Sequence, residues 1–392
     1  MVTAPHILIA GAGIGGLTAA LALARRGIAV TLAEKRTGFG ELGAGLQISP
    51  NAGHVLDGLD LRLPLKRHAV LAERLVVRSW RSGAALVAMP MSAEGESFRL
   101  FKRNDLHMAL LDAARAMPNI RIIVGRGVSE VTVAADGIAA TLLGESGAVE
   151  TIEALAIIGA DGLWSRLRQL AGDRSPPRFT GYEAWRALAP APERAGGEVT
   201  LHLGPDRHMV HYPVAGGRET NIVIVRRAAE AREGWSRSGD YARLAPELET
   251  ANPALRSLAT RACAWQVWSL FDRVPAPMAQ GRIALLGDAA HPVLPFLAQG
   301  AALAIEDAAV LARLLAEHLA REGAAGVPPA LAAYASARAE RVARVQQTSR
   351  ANGRAYHMAA PWSLGRDLVM KRLGPDGMRR RHGWVYDWRD GG

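Results

Sequence analysis

Near the start of the chain, Gly11-Ala12-Gly13-Ile14-Gly15-Gly16 separates an apolar run, His6–Ala10, from an Ala/Leu-rich stretch, Leu17–Arg26. Gly27 follows as a helix stop. The next apolar run, Ile28–Ala33, ends in Glu34, 18 residues past Gly16. The order strand, glycine turn, helix, strand predicts a βαβ unit. The spacing Gly11-x-Gly13-x-x-Gly16 suits a tight turn, close backbone approach to a pyrophosphate, and close packing of helix on strand. The helix N-terminus adds unpaired N–H groups and partial positive charge. A carboxylate at Glu34 can accept hydrogen bonds from ribose hydroxyls. Gly15, inside the loop, and Lys35, after the acid, join these as candidate cofactor residues. This unit reads as dinucleotide-binding, and by itself it does not separate NAD from FAD.

Composition narrows the class. With 392 residues, 49% hydrophobic and 21% charged, the chain can bury a large core and reads as two or three folded domains. A single cysteine, Cys263, excludes an internal disulfide framework and any Cys-based zinc or iron–sulfur cage. It fits a reducing cytosol, and it reads as a packed thiol. No signal peptide is legible before His6, and Ile283–Ile305 is broken by Asp288, His291, Pro292 and Pro295, unlike a membrane span. The net charge of +10 is carried almost wholly by arginine, the only lysines being Lys35, Lys66, Lys102 and Lys371. It admits nucleic acid, anionic lipid or an anionic small molecule. Arg379-Arg380-Arg381 is short and the other arginines are interleaved with acids, so a solvated face is the plainer reading.

Further along, Leu75–Met91 reads as a hairpin about Arg81-Ser82-Gly83, and Asn104 as the N-cap of a helix to Met117. Residues 178–274 alternate with period two, with strands expected at Glu198–Leu203, His208–Pro213 and Asn221–Val225. This predicts a mixed or antiparallel sheet. Alternation puts His208, Val210 and Tyr212 on one face and Met209 and His211 on the other. Ile283–Leu286 is a short buried strand, and Gly300–Arg321 and Pro329–Asn352 are helical.

Two further segments carry a family signal. Residues 157–168 contain Gly159-Ala-Asp-Gly162, and residues 282–307 contain Gly287-Asp-Ala-Ala-His-Pro292, Leu297-Ala-Gln-Gly-Ala301 and Ile305-Glu-Asp307. With the N-terminal loop and with Glu41-Leu-Gly-Ala-Gly-Leu-Gln-Ile-Ser-Pro-Asn51, the chain resembles the single-component FAD-dependent aromatic hydroxylases of the p-hydroxybenzoate hydroxylase fold. It looks most like their salicylate, 3-hydroxybenzoate and 6-hydroxynicotinate hydroxylase branch. The resemblance implies a mixed α/β (α+β) protein, with a Rossmann-like FAD-binding domain, an inserted mixed or antiparallel β-sheet substrate domain and C-terminal helices. The FAD-binding domain is expected at 1–74, 100–177 and 275–355, and the substrate domain at 75–99 and 178–274. Residues 356–392 are expected to pack as a helical, aromatic tail on the FAD domain.

The same resemblance implies tightly bound, non-covalent FAD, with NADH or NADPH as co-substrate. It assigns Asp288 to the ribityl chain, and Pro292, Gln299 and Gly300 to the surroundings of the isoalloxazine ring. Asp161 touches FAD and NAD(P)H, or caps the following helix. Arg103 contacts FAD, and Gln47 and Val128 lie near it. His208 and Tyr212 line the substrate pocket, His208 as base for a ring hydroxyl. His211 takes that role if the register shifts by one. His291 reads as structural, and Trp185, Trp265 and Trp268 as core or pocket wall. The implied activity is NAD(P)H- and O2-dependent hydroxylation of a small hydroxy-aromatic or N-heteroaromatic acid through a flavin C4a-hydroperoxide. The alternatives are a related enzyme acting on a bulkier polyketide or alkaloid ring, and a flavin-free NAD-dependent dehydrogenase. The expected partners are the aromatic substrate and O2, without nucleic acid or membrane, in a cytoplasmic monomer or homodimer.

Overall fold

The computed structural model describes residues 6–39, 44–93, 96–191, 195–231 and 237–391. Residues 41–43, the start of the Glu41–Asn51 segment, lie outside the described residues.

A six-stranded sheet runs in the order Ile120–Val124, Ala29–Glu34, His6–Ala10, Ala156–Gly159, Ile283–Leu285 and Ala279–Gln280. The first five are parallel and the last turns back antiparallel. These strands are short and apolar because helices cover both faces. The helix Ile14–Ala24 is buried on nearly every side, so small residues line it. Its neighbour Gly300–Glu322 packs closely enough that a Cβ on Gly15 would lie 3.0 Å from the Ala304 Cβ. One large core joins this sheet to its helices.

The second sheet has eight strands, ordered Arg237–Ser238, Cys263–Asp272, Arg178–Pro190, Glu219–Arg227, Arg207–Val214, Glu198–Gly204, Arg74–Ser79 and Ala85–Pro90. All neighbours are antiparallel except Glu198–Gly204 with Arg74–Ser79. Its outer face buries Trp80, Trp185, Met209, Ile222, Ile224 and Trp265 beneath helices Ala245–Leu248 and Pro253–Thr260. Its inner face, with Ala184, Val223, Val225 and Leu270, packs on Phe296 of the loop before Gly300. A small sheet, Gly45–Ile48, Arg99–Lys102 and Val70–Leu71, bridges the two large ones, and Gly45 N–H donates to Asn221 Oδ1 at 2.6 Å.

Three local expectations change. The helix expected from Asn104 begins at Arg103, with Lys102 as the extended N-cap, because Arg99–Lys102 runs straight into it and Arg103 N–H bonds Ala44 O. Cys263 opens its strand and is exposed, not packed. The tail is helical as expected, Trp362–Tyr386 with a break at Gly374, but only part of it lies on the FAD side. Its end returns to the FAD-side helices, where Arg341 bonds the carbonyls of Trp384 and Val385. Its middle instead covers the second sheet's edge, with Met370 and Met378 against Val77, Leu86 and Val87. No helix among the described residues is long and apolar enough to cross a membrane.

Candidate active site

The glycine loop is set by backbone contacts. Gly11 has φ 106°, and a Cβ there would overlap the Ala160 carbonyl. A Cβ on Gly16 would overlap the Gly11 carbonyl. Gly13 is the N-cap of Ile14–Ala24, and a Cβ on it would meet nothing within 4 Å. Two glycines are therefore required by the protein itself, and the third faces open space, as a cradle for a ligand demands. Glu34 accepts from Ala12 N–H at 2.9 Å and from Arg36 N–H at 3.0 Å, which ties the second strand end to the loop. Burial keeps His107 neutral, its pKa below the ordinary value, and its Nε2–H donates to Ala12 O at 2.7 Å. Lys35 is exposed and adjoins Gly127, which brings the half-buried Val128 beside this end of the loop.

Across the sheet's carboxyl ends lies a second set. Gly287 has φ 57° and turns the chain after Ile283–Leu285, so Asp288 opens onto a groove with protein closed around it. Burial pushes the Asp288 carboxyl up, while Arg103 and His291 oppose that rise. Burial likewise lowers Arg103, and Asp288 offsets it. Opposite charges thus face one groove at the ends of parallel strands, the ordinary ligand position in such sheets. Asp161 accepts from Ser165 Oγ at 2.6 Å and from the N–H groups of Arg166 and Leu167 at 2.7 and 3.1 Å. Its carboxylate caps Arg166–Leu170, and burial raises its pKa against those bonds.

Gly300 begins its helix with open space at its Cα and no acid in the first turn, leaving a positive helix end exposed. Gln299 is buried, and its amide is committed inside the protein. It donates to Ser49 Oγ at 2.9 Å and accepts from Asn51 Nδ2 at 3.0 Å. Pro292 is buried, and its carbonyl accepts from Gln346 at 2.7 Å. The open Gly13, the exposed helix end and the Asp288/Arg103 groove fit the pyrophosphate, ring edge and ribityl hydroxyls of FAD respectively.

The inner face of the eight-stranded sheet closes the other side. His208, Val210 and Tyr212 share this face, and Met209 faces outward. His211 lies outward too, stacked on His202 with centroids 5.6 Å apart. His208 Nδ1 is 2.8 Å from His357 Nε2, and its ring meets Phe296 and Tyr356 edge-on. Burial, then His357, lowers His208 well below the ordinary histidine value. Burial lowers His357 to about 4. Tyr212 is buried, which raises its phenol pKa, and the Gln47 side chain bonds it. Trp268 lies on this inner wall under Arg186, while Trp185 and Trp265 are outer-face core.

Several residues escaped sequence reasoning. Asp307 accepts from Gly287 N–H at 2.9 Å, His291 Nε2 at 2.6 Å and Arg338 Nε at 2.8 Å, so it fixes the turn that carries Asp288. Burial alone would raise Asp307, but His291 and Arg338 hold it at about 2. Glu306 is buried and bonds Asn51, Arg338 and Arg341. The adjacent acids Glu306-Asp307 inside an alanine-rich helix were the available signal. His357 carried no comparable signal, because its partner lies 149 residues away.

A glycine-loop sheet roofed by a separate sheet with its own inward polar groups is the frame of a dinucleotide-dependent enzyme. Residues 5–349 match the family described as FAD binding domain, and the chain belongs to that family. A 3-hydroxybenzoate 6-hydroxylase of Klebsiella oxytoca is 34% identical, over 98% of this chain and 96% of its own. A 6-hydroxynicotinate 3-monooxygenase of Bordetella bronchiseptica is 34% identical, over 94% and 97%. A salicylate hydroxylase solved with substrate is 26% identical, with a TM-score of 0.82 over 99% and 97% of the two chains. The protein is an FAD-dependent aromatic hydroxylase, a monooxygenase.

Proposed function

We propose that the protein hydroxylates a small hydroxy-aromatic or N-heteroaromatic acid with NAD(P)H and O2. The observation that carries this reading is the meeting of His208 with Phe296 of the loop beside the FAD groove, on the sheet face that His208 shares with Tyr212. The chemistry with NAD(P)H and O2 is supplied by FAD when bound. Residues 1–74, 100–177 and 275–355 hold that cofactor, and 75–99 and 178–274 hold the substrate.

Gly13 admits the pyrophosphate in a loop whose shape and helix packing Gly11, Gly15 and Gly16 allow, while Glu34, Lys35 and Val128 frame the adenosine end. Asp288 and Arg103 hold the ribityl and phosphate oxygens. Pro292, Gln299 and Gly300 shape the loop at the ring edge, and Asp161 serves this groove while capping its helix. With its Nδ1–H donated to His357, His208 presents the Nε2 lone pair and accepts the proton of the ring hydroxyl. The contact with His357 fixes the tautomer and orientation of the His208 ring. Deprotonation makes the ring electron-rich where oxygen is transferred. Tyr212, bonded by Gln47, orients the ring, and the apolar inner face excludes water. The protein acts in the cytoplasm as a monomer or homodimer, without nucleic acid or membrane, and the exposed Cys263 thiol suits a reducing compartment.

The test is a panel of hydroxy-aromatic acids scored for stimulated NADH and NADPH oxidation, with product analysis. A hydroxylated product from at least one acid is expected. Stimulated oxidation without hydroxylated product from any of them would contradict the assignment.

A further inference from the structure

The inner face of the eight-stranded sheet holds a cation that no described residue neutralises. Arg186 lies in Arg178–Pro190, opposite Val223 on one side and Gln266 on the other. Alternation places it on the same face as Ala184, and so with Val223, Val210, His208 and Tyr212. Its guanidinium sits 5.1 Å from the Trp268 ring centroid. Its Nε is sealed from solvent and has no hydrogen-bond partner.

Other buried or half-buried arginines among the described residues are held by acids or by backbone carbonyls, as Arg273 is by Leu163 and Ser175 and Arg282 by Ala135 and Leu155, although the Arg273 Nε is also unpartnered. Arg338 is held by Glu306 and Asp307, Arg226 by Glu183 and Glu247, and Arg168 by Asp173 with three carbonyls. Arg186 has no such acid. Burial pulls it down to about 10 and Arg103 adds to this, with only Tyr212 acting the other way. A desolvated cation without a counter-charge is costly to keep in a folded protein. Such a group is retained to advantage where a ligand completes it.

We infer that Arg186 binds the carboxylate of the aromatic acid and sets which end of the ring faces His208. This rests on the hydroxylase reading above. A guanidinium stacked on an indole keeps its edge open, and that edge matches a planar carboxylate with two parallel N–H···O bonds. The apolar Val210 and Val223 beside it suit a flat ring. His208 and Arg186 stand on the two strands flanking Glu219–Arg227, opposite Val225 and Val223. Strand spacing and rise put their Cα atoms about 12 Å apart. Two side chains and one six-membered ring can bridge that gap.

The test compares 3-hydroxybenzoate, 6-hydroxynicotinate and 3-amino-4-hydroxybenzoate with the carboxamide of each. Binding is read from the flavin absorbance of wild type, Arg186→Lys and Arg186→Gln holoenzymes, with FAD content measured alongside. Wild type is expected to bind its best acid 10- to 100-fold tighter than the matching amide, about the range of a charged hydrogen bond. Arg186→Gln should erase that preference while retaining FAD, and Arg186→Lys should keep part of it. Equal binding of acid and amide by wild type overturns the inference without any variant. So does an Arg186→Gln holoenzyme that still prefers the acid, and so does loss of FAD from both variants, which would place Arg186 on the cofactor. If wild type binds and hydroxylates no acid at all, the hydroxylase reading fails and this inference falls with it. If wild type hydroxylates an acid and Arg186→Gln keeps the preference, only the role of Arg186 fails.

Discussion

The two walls of the active site are built from different materials. The FAD groove is mostly backbone: glycines that admit a close carbonyl, a turn at Gly287 and an open helix end at Gly300. The inner face of the eight-stranded sheet is side chains: His208, Tyr212, Arg186 and Trp268, several completed by residues from distant segments. A backbone site tolerates almost no change in residue size at its contacts. A side-chain site can be retuned by single substitutions without loss of the cofactor, which suits a wall that selects substrate.

The strongest break in that comparison is Gly16→Val. Its Cβ would overlap the Gly11 carbonyl, so the purified protein is expected to lack flavin absorbance. Gly13→Ala is the control. With φ −75° and open space it should fold normally, yet bind FAD more weakly. Flavin content unchanged in both would show that the loop does not hold the cofactor.

Next comes the buried ion network behind the groove. Arg338→Leu leaves Glu306 and Asp307 charged in the core, a loss of about 3–5 kcal/mol. Denaturant unfolding measures it, and a loss under about 1 kcal/mol would mean the network is not closed as described.

The smallest effect is in pH. His208, His357, His202 and His211 all titrate below the ordinary histidine value, burial being the largest cause in each. The inner pair faces Asp206, Arg227, Arg366, Tyr182 and Tyr356, and the outer pair Arg78 and Glu198. Unfolded histidines take up protons near pH 6.5 that the folded ones refuse, so stability is complete above that pH. It should fall as pH drops from about 6.5 towards 4. His211→Gln is expected to flatten this slope in melting temperature and leave hydroxylation intact, because His211 is on the outer face. His208→Gln should flatten the slope and impair hydroxylation. If the two variants behave alike, the assignment of faces is wrong.

The contrast between the walls also explains what was legible beforehand. The strand His6–Ala10 matches its expected bounds and Glu34 ends the next strand, because backbone constraints leave a mark in local sequence, while the helix runs Ile14–Ala24 rather than Leu17–Arg26, since it starts inside the glycine loop. Alternation identified the shared face of His208 and Tyr212. It carried no information on depth or on partners. His357 completes His208 from the far end of the chain, and Gln47 bonds Tyr212 from the bridging sheet. The Asn104 cap was misplaced by local propensity, since the preceding strand sets where that helix starts. Cys263 was misjudged for a similar reason: the small apolar character of a thiol says nothing of a strand end that lies at the surface.

That the two walls act as one site is tested most directly by coupling. The ratio of hydroxylated product to NAD(P)H consumed should be compared for wild type and His208→Gln, with the acid that binds best. The predicted result is a ratio near one for wild type and at least a tenfold drop for the variant, with NAD(P)H oxidation continuing, in keeping with loss of a positioned base. An unchanged ratio in a variant that retains FAD would contradict the account.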